Sequence, residues 1–260
     1  MRELWRLRGV LLVAALAVGT LWWAATGELV MYINPQNTWF AVAMSVVALG
    51  ACVARVATGP GEDGHVDHAH EPATAHEHDD LPASPARRAP ILAGVAVAGL
   101  LGLAAVLLPP TTLSAATALQ RDLTATQVGE AASVEAAENA DAAVFARYTL
   151  VEWASLLGQT QDPVFYAGKP AELLGFVTPS PDSEDVFYVT RFLITHCAVD
   201  AQPVGVPVHL PGWQAQLSAD DWVRVSGEFG SNADPSSSAA IALEPAEVTG
   251  VDEPADPYLY

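Results

Sequence analysis

Residues 9–27 read GVLLVAALAVGTLWWAATG, residues 38–54 read TWFAVAMSVVALGACVA, and residues 91–108 read ILAGVAVAGLLGLAAVLL. A helix needs about 20 apolar residues to cross a bilayer core. Each run comes close, and none carries a charge in its middle. The expected chain is an α+β membrane protein in which three transmembrane helices precede a small all-β domain. Residues 1–58 hold two helices, 59–90 a polar loop, 91–108 the third helix, 109–145 a spacer, 146–250 the β domain and 251–260 an acidic tail.

Charge is spread as unevenly as hydropathy. Eleven Lys and Arg face 30 Asp and Glu, a net charge of −19. Arg2, Arg6, Arg8, Arg55, Arg87 and Arg88 flank the apolar runs, and cations near span ends mark the cytoplasmic side. The N-terminus and the loop at 59–90 therefore belong inside. The segment at 28–37, which has no Lys or Arg, belongs outside, and the third helix delivers residues 109–260 to the outer face. Trp5, Trp22, Trp23, Tyr32, Trp39 and Phe40 fall near the expected interfaces, where amphipathic rings are favoured. The first run could instead be a cleaved signal peptide. Its apolar core is long for one, and Trp22 and Trp23 crowd any cleavage site, so a retained helix is expected.

Beyond residue 108, Arg121, Arg147, Lys169, Arg191 and Arg224 face 21 acids, a net charge of −16. Such a domain is a poor partner for nucleic acid. The spans lack the buried ionisable groups that line a transport path, so the chain does not conduct by itself. Gly94, Ala98 and Gly102, four apart, suit close helix packing, either within this chain or with a partner. Cys52 lies inside the second run and Cys197 far along the polar part, so a disulfide scaffold is excluded.

The loop at 59–90 has no apolar periodicity and is expected to be disordered. His65, His68, His70, His76 and His78 cluster there among seven carboxylates. Imidazole beside carboxylate suits zinc and similar divalent ions. No spacing defines one rigid tetrahedral site, so the expectation is a weak, exchangeable metal-collecting loop. The alternative is a solvated acidic linker.

In the outer part, Thr149 and Glu152 form a capping-box signature before Leu150, Trp153, Leu156 and Leu157 at helical spacing, with Gly158 as the stop. The period then changes to two. Residues 171–177, 186–194, 204–210, 222–229 and 240–249 read as five strands, the number of a closed OB-type barrel. A five-stranded sandwich is the rival. His196, Cys197 and Asp200 fall within five residues at the end of the second strand and are zinc-ligand types. His209 could supply a fourth ligand. Neighbouring strand residues point to opposite faces, so convergence needs a bulge or turn. In the structural alternative Cys197 is a small buried residue and Asp200 caps the turn. A nucleophilic enzyme would need a positioned base, which adjacency of His196 does not supply, and the chain reads as a non-enzyme.

The strings YAGKPAELLGFV (166–177), VTRFLITHCAVDAQPVGVPV (189–208) and DDWVRVSGEF (220–229), behind three spans and a His-rich loop, resemble the YcgQ-like bacterial family of permease subunits. The position before the cysteine, often a second cysteine in that family, is His196 here. That keeps a ligand-type side chain and removes a dithiol. The resemblance implies a membrane permease as partner and a link to zinc supply. The expected function is an integral membrane accessory subunit of a permease complex. The alternative is a membrane-tethered extracytoplasmic binding or sensor module with no transport role.

Overall fold

The structure is a computed structural model that describes residues 2–58, 111–121 and 131–260. The third apolar run and His65, His68, His70, His76 and His78 lie outside the described residues. Two compact units are present. One holds the two apolar helices. The other comprises Met31–Asn34 and Thr111–Tyr260.

Helix α1 spans Arg2–Thr26 and α2 spans Thr38–Ala57. Both are long and apolar enough to cross a membrane. They pack on each other through small residues. Ala17 and Ser45 are buried, and the Ser45 hydroxyl donates back to the Ala41 carbonyl at 2.8 Å. Cys52 Sγ donates to the Val10 carbonyl at 3.6 Å. Their outward faces are apolar and bare, with Leu16 72% and Val47 62% exposed. Faces of that extent need an apolar surround. Two 3-10 turns, Glu28–Met31 and Pro35–Asn37, connect the helices.

In the second unit, helix α3 (Leu150–Gln159) starts with the capping box expected at Thr149 and Glu152. It continues through Gly158, one residue past the expected stop. The Gln159 amide explains the extra residue: it donates to the Ser155 carbonyl at 3.2 Å and to the Ala132 carbonyl at 2.6 Å.

Five strands follow: β1 (Pro170–Pro179), β2 (Val186–Leu193), β3 (Gln202–His209), β4 (Trp222–Ser231) and β5 (Ile241–Gly250). They lie where the period-two pattern places them. The sheet is mixed and closes on itself in the order β1-β2-β3-β5-β4, with β1 pairing both β2 and β4. All pairs are antiparallel except β3 with β5, which meet at Val208 and Leu243.

Alternation along the strands sends Phe187 and Val189, Val204, Val206 and Val208, Val223 and Val225, and Ile241 and Leu243 to one interior. Trp153 of α3 joins this core, fully buried, with its ring 4.6 Å from Phe229 and 5.6 Å from Phe145. The stretch expected to be a spacer is partly helical in its described residues, but it is built into the fold. Ala132, Ala137 and Phe145 belong to the main core. Ala115 and Ala118 belong to a second cluster with Phe176, Tyr188, Phe192, Ile194, Ala201 and Tyr258.

Closure brings backbones close at the β4–β5 bulge, where the register shifts between Ser226 and Gly227. A Cβ on Gly227 would lie 2.2 Å from the Glu244 carbonyl oxygen, whereas one on Gly250 would meet nothing within 4 Å. Gly227→Ala is therefore expected to destabilise the domain by about 3 kcal/mol through overpacking, and Gly250→Ala by less than about 0.5 kcal/mol. Thermal unfolding of the full chain in detergent, followed by near-ultraviolet dichroism, checks the contrast. Equal midpoints for the two variants would refute it.

Candidate functional site

The chain leaves β2 through Ile194 and turns in a single 3-10 turn, Ala198–Asp200, before β3. This turn brings His196 and Asp200 together, with Nδ1 of His196 3.0 Å from Oδ2 of Asp200. The same carboxylate accepts from the backbone N–H of His196 at 3.0 Å and of Cys197 at 3.3 Å. Desolvation pushes the Asp200 carboxyl up, but donation from the Cys197 N–H, the His196 ring and the His196 N–H outweighs it. The carboxyl titrates below its ordinary range. Its acceptor positions are taken up by the turn, as the capping reading of Asp200 expects.

Cys197 is half-buried and a free thiol, as is Cys52. It forms an antiparallel bridge with Ile33. Among the described residues no group of three or more His, Cys, Asp or Glu is arranged to hold a metal ion. The donor set at this turn therefore does not fit zinc: one imidazole and one occupied carboxylate converge, and the thiol is not part of the set. His209 does not complete it. It ends β3, seven residues from Gln202 and so about 23 Å along the strand. There its Nδ1 lies 2.9 Å from Oε1 of Glu244.

The turn holds instead a segment of the protein that precedes α2. The Asn34 N–H donates to the His196 carbonyl at 3.0 Å, and the Ala198 N–H donates to the Tyr32 carbonyl at 2.8 Å. The buried Asn34 side chain donates to the Ile194 carbonyl at 2.9 Å. Composition did not single out Met31–Asn34, because the hydrogen bonds are between backbone groups some 160 residues apart.

Beside the turn lies an aromatic face on the outside of β1 and β2. Phe176 stacks on Phe192 with ring centroids 5.8 Å apart and meets Trp222 edge-on at 5.8 Å. The protein covers this face itself. The one-turn helix Ala115–Ala118 lies in the cluster, and the Ala115 N–H donates to Oδ1 of Asp220, a residue in the left-handed region at φ 71°. The Leu113 N–H donates to the Tyr258 hydroxyl at 3.0 Å.

The chain end covers the rest. Beyond Thr190, β2 has no register partner on β1. Its exposed backbone is completed by Leu259, which donates to the Phe192 carbonyl at 2.8 Å and accepts from the Ile194 N–H at 2.9 Å. Arg191 grips the same strand through the carbonyls of Asp256, Pro257 at 3.0 Å and Tyr258 at 2.9 Å. Residues 251–260, expected as an acidic tail, therefore end as a docked strand.

These features define a class: a closed five-stranded mixed-sheet domain in a chain that also carries two apolar helices. Residues 127–260, just over half of the chain, match the DUF1980 C-terminal domain. The chain belongs to the DUF1980 family. No curated protein matches the sequence. Solved structures with partial similarity include "OBody AM2EP06 bound to hen egg-white lysozyme", at 19% identity and TM-score 0.23 over 35% of this chain and 85% of that one. Another is "OBody AM3L15 bound to hen egg-white lysozyme", at 19% identity and TM-score 0.24 over 36% of this chain and 90% of that one.

The folded-state carboxyl of Asp200 titrates low, so its capping contribution is complete above the unfolded value of about 3.9. It is lost as pH falls through the lower folded value. Asp200→Ala is expected to lower hydrogen-exchange protection of the 194–201 segment about fivefold at neutral pH, equivalent to a cap worth about 1 kcal/mol. The difference from the parent protein should vanish in acid. A difference that persists below both carboxyl values would refute the capping role.

Proposed function

We propose that the chain is an integral membrane accessory subunit of a permease complex, of the YcgQ-like kind, with three spans and an extracytoplasmic domain of the OB class. The observation that carries this reading is that two stretches adjoining apolar runs, Met31–Asn34 and residues 113–118, are built into the fold of the C-terminal domain. A tethered sensor needs a loose spacer and an open binding face. Here the described part of the spacer is docked, and it covers the outer face of β1 and β2. Outer-face aromatics on the second and third strands are what OB domains commonly use for ligands.

Topology supports three spans. Met31–Asn34 lies in sequence between α1 and α2. It shares backbone hydrogen bonds with His196 and Ala198, and its Asn34 side chain donates to Ile194. Groups bonded in this way are on one side of a membrane. If α1 and α2 each cross once, the chain leaves α2 on the opposite side and must cross again before Thr111. The run at 91–108 has the length and composition to do so. Arg55, Arg87 and Arg88 then place residues 59–90 inside and the domain outside. The strand order β1-β2-β3-β5-β4 with closure through β1 and β4 supports the OB class.

The spans support an accessory role more than a conducting one. Between Gly9 and Ala54 the one ionisable group with full charge at neutral pH is Glu28, in the connecting turn. In this reading the helices dock on a conducting partner. The loop at 59–90 gathers a divalent ion, zinc by the chemistry of its five imidazoles, and the turn at 196–200 plays no part in that.

Two outcomes test the reading. In mild detergent the chain is expected to co-purify with a membrane permease from the same membranes, while Gln36→Cys and Val164→Cys label from the same outer face with an impermeant maleimide. A chain that runs alone in several mild detergents, or labels from opposite faces, would overturn it. For the metal, the full chain is expected to bind zinc at micromolar affinity or weaker, and deletion of residues 62–80 is expected to remove most of the calorimetric heat. An unchanged titration would end the loop assignment.

A further inference from the structure

We propose that the 195–201 turn is a lipid-contacting surface that rests in the polar interface of the bilayer, with Val199 entering the lipid. The inference rests on the reading that α1 and α2 span a membrane, and it adds where the outer domain meets that membrane.

The first argument is reach. The turn is bonded to Tyr32 and Asn34 through backbone groups, and Ile33 bridges Cys197. Asn34 is separated from the start of α2 at Thr38 by one 3-10 turn, Pro35–Asn37. At about 2 Å rise per residue, that connection spans about 8 Å. On the other side, Met31 ends a second 3-10 turn that begins at Glu28, two residues after α1 ends. Chain length alone thus keeps Met31–Asn34, and whatever is bonded to it, within about 10 Å of two helix ends. The polar layer on each side of a bilayer core is about 5–8 Å thick.

The second argument is chemistry. Val199 is 84% exposed at the tip of the turn. An apolar side chain gains by leaving water, and nothing in its own unit covers this one. Within Met31–Asn34 and residues 194–201 the one carboxylate is Asp200, and it faces the N–H groups and ring of its own turn. Tyr32, in the bonded segment, is a residue type that favours this depth.

Val164 provides an internal control. It is 83% exposed, in a one-turn helix, Pro163–Tyr166, whose Asp162 cap and Val164 have no bond to Met31–Asn34. The experiment uses the full chain with Cys52→Ala and Cys197→Ser. Either Val199→Cys or Val164→Cys carries an environment-sensitive nitrobenzoxadiazole label, and the protein is reconstituted in phosphatidylethanolamine–phosphatidylglycerol vesicles. The expected result is a blue-shifted emission at 199 that is lost when doxyl-labelled lipid is included, with no change at 164. A label at 199 as aqueous as that at 164 overturns the inference, including the case in which a protein partner, absent from these vesicles, is what covers the turn. Alkaline extraction of the same vesicles separates the two failures. Protein retained with an aqueous 199 label removes this inference alone, whereas protein released by alkali removes the membrane reading with it.

Discussion

The bonds that join Tyr32 and Asn34 to Ile194, His196 and Ala198, two between backbone groups and one from the Asn34 side chain, constrain much of this protein. They involve groups some 160 residues apart. They satisfy donors and acceptors on a turn that would otherwise end β2 in open backbone. They also fix a parity. A four-residue piece of the segment between two apolar helices belongs to the same folded unit as the β domain, so the number of crossings between residues 58 and 111 is odd if the first two helices cross. Span prediction from hydropathy is thereby tied to a hydrogen-bond pattern with an independent physical basis.

The second constraint is closure. A closed sheet has no free edges to protect, but this one is imperfect where β2 outruns β1 after Thr190. The repair is local and specific. Leu259 supplies the missing backbone partners, and Arg191, whose guanidinium is partly desolvated, holds three consecutive carbonyls of the same strand. Desolvation pushes the Arg191 pKa down while Asp256 and Tyr260 push it up. The net direction is down, yet the group stays cationic at any physiological pH. The charge that grips the tail therefore does not change with pH across the physiological range. The aromatic face behind it, closed further by Ala115 and Ala118, is part of the core and not an open platform.

How much of this was legible in the sequence follows from distance along the chain. Thr149 and Glu152 announced α3 because a capping box is written within four residues. The strands were legible because Val204, Val206 and Val208, or Val223 and Val225, repeat with the pleat. The turn at 196–200 left a ligand set and an Asp200 cap both open, because His, Cys and Asp side chains are visible in a sequence, whereas the backbone N–H groups that claim the carboxylate of Asp200 are not. The docked spacer and tail were illegible for a related reason. Ala115 and Ala118 give no periodic signal, and their anchors, Asp220 and Tyr258, lie 105 and 145 residues from the groups they bind. His209 had the right chemistry but the wrong end of β3, and only the register with Val186 places it there.

These constraints bear on the role of the domain. A receptor that reports on a soluble ligand gains from a spacer that leaves its domain free to search. In this chain the residues around the domain's attachment points are used up in packing and backbone pairing, and the outer face of the first two strands is filled from within. Met31–Asn34 and residues 113–118 are bonded into the domain, and in the proposed role such docking is useful because position matters. A domain held at a set place above a conducting partner can shape access to it without binding anything tightly. The absence of Asp, Glu, Lys and Arg from residues 9–26 of α1 and 38–54 of α2 agrees with the division of labour proposed above, in which this chain supplies placement and another supplies the path.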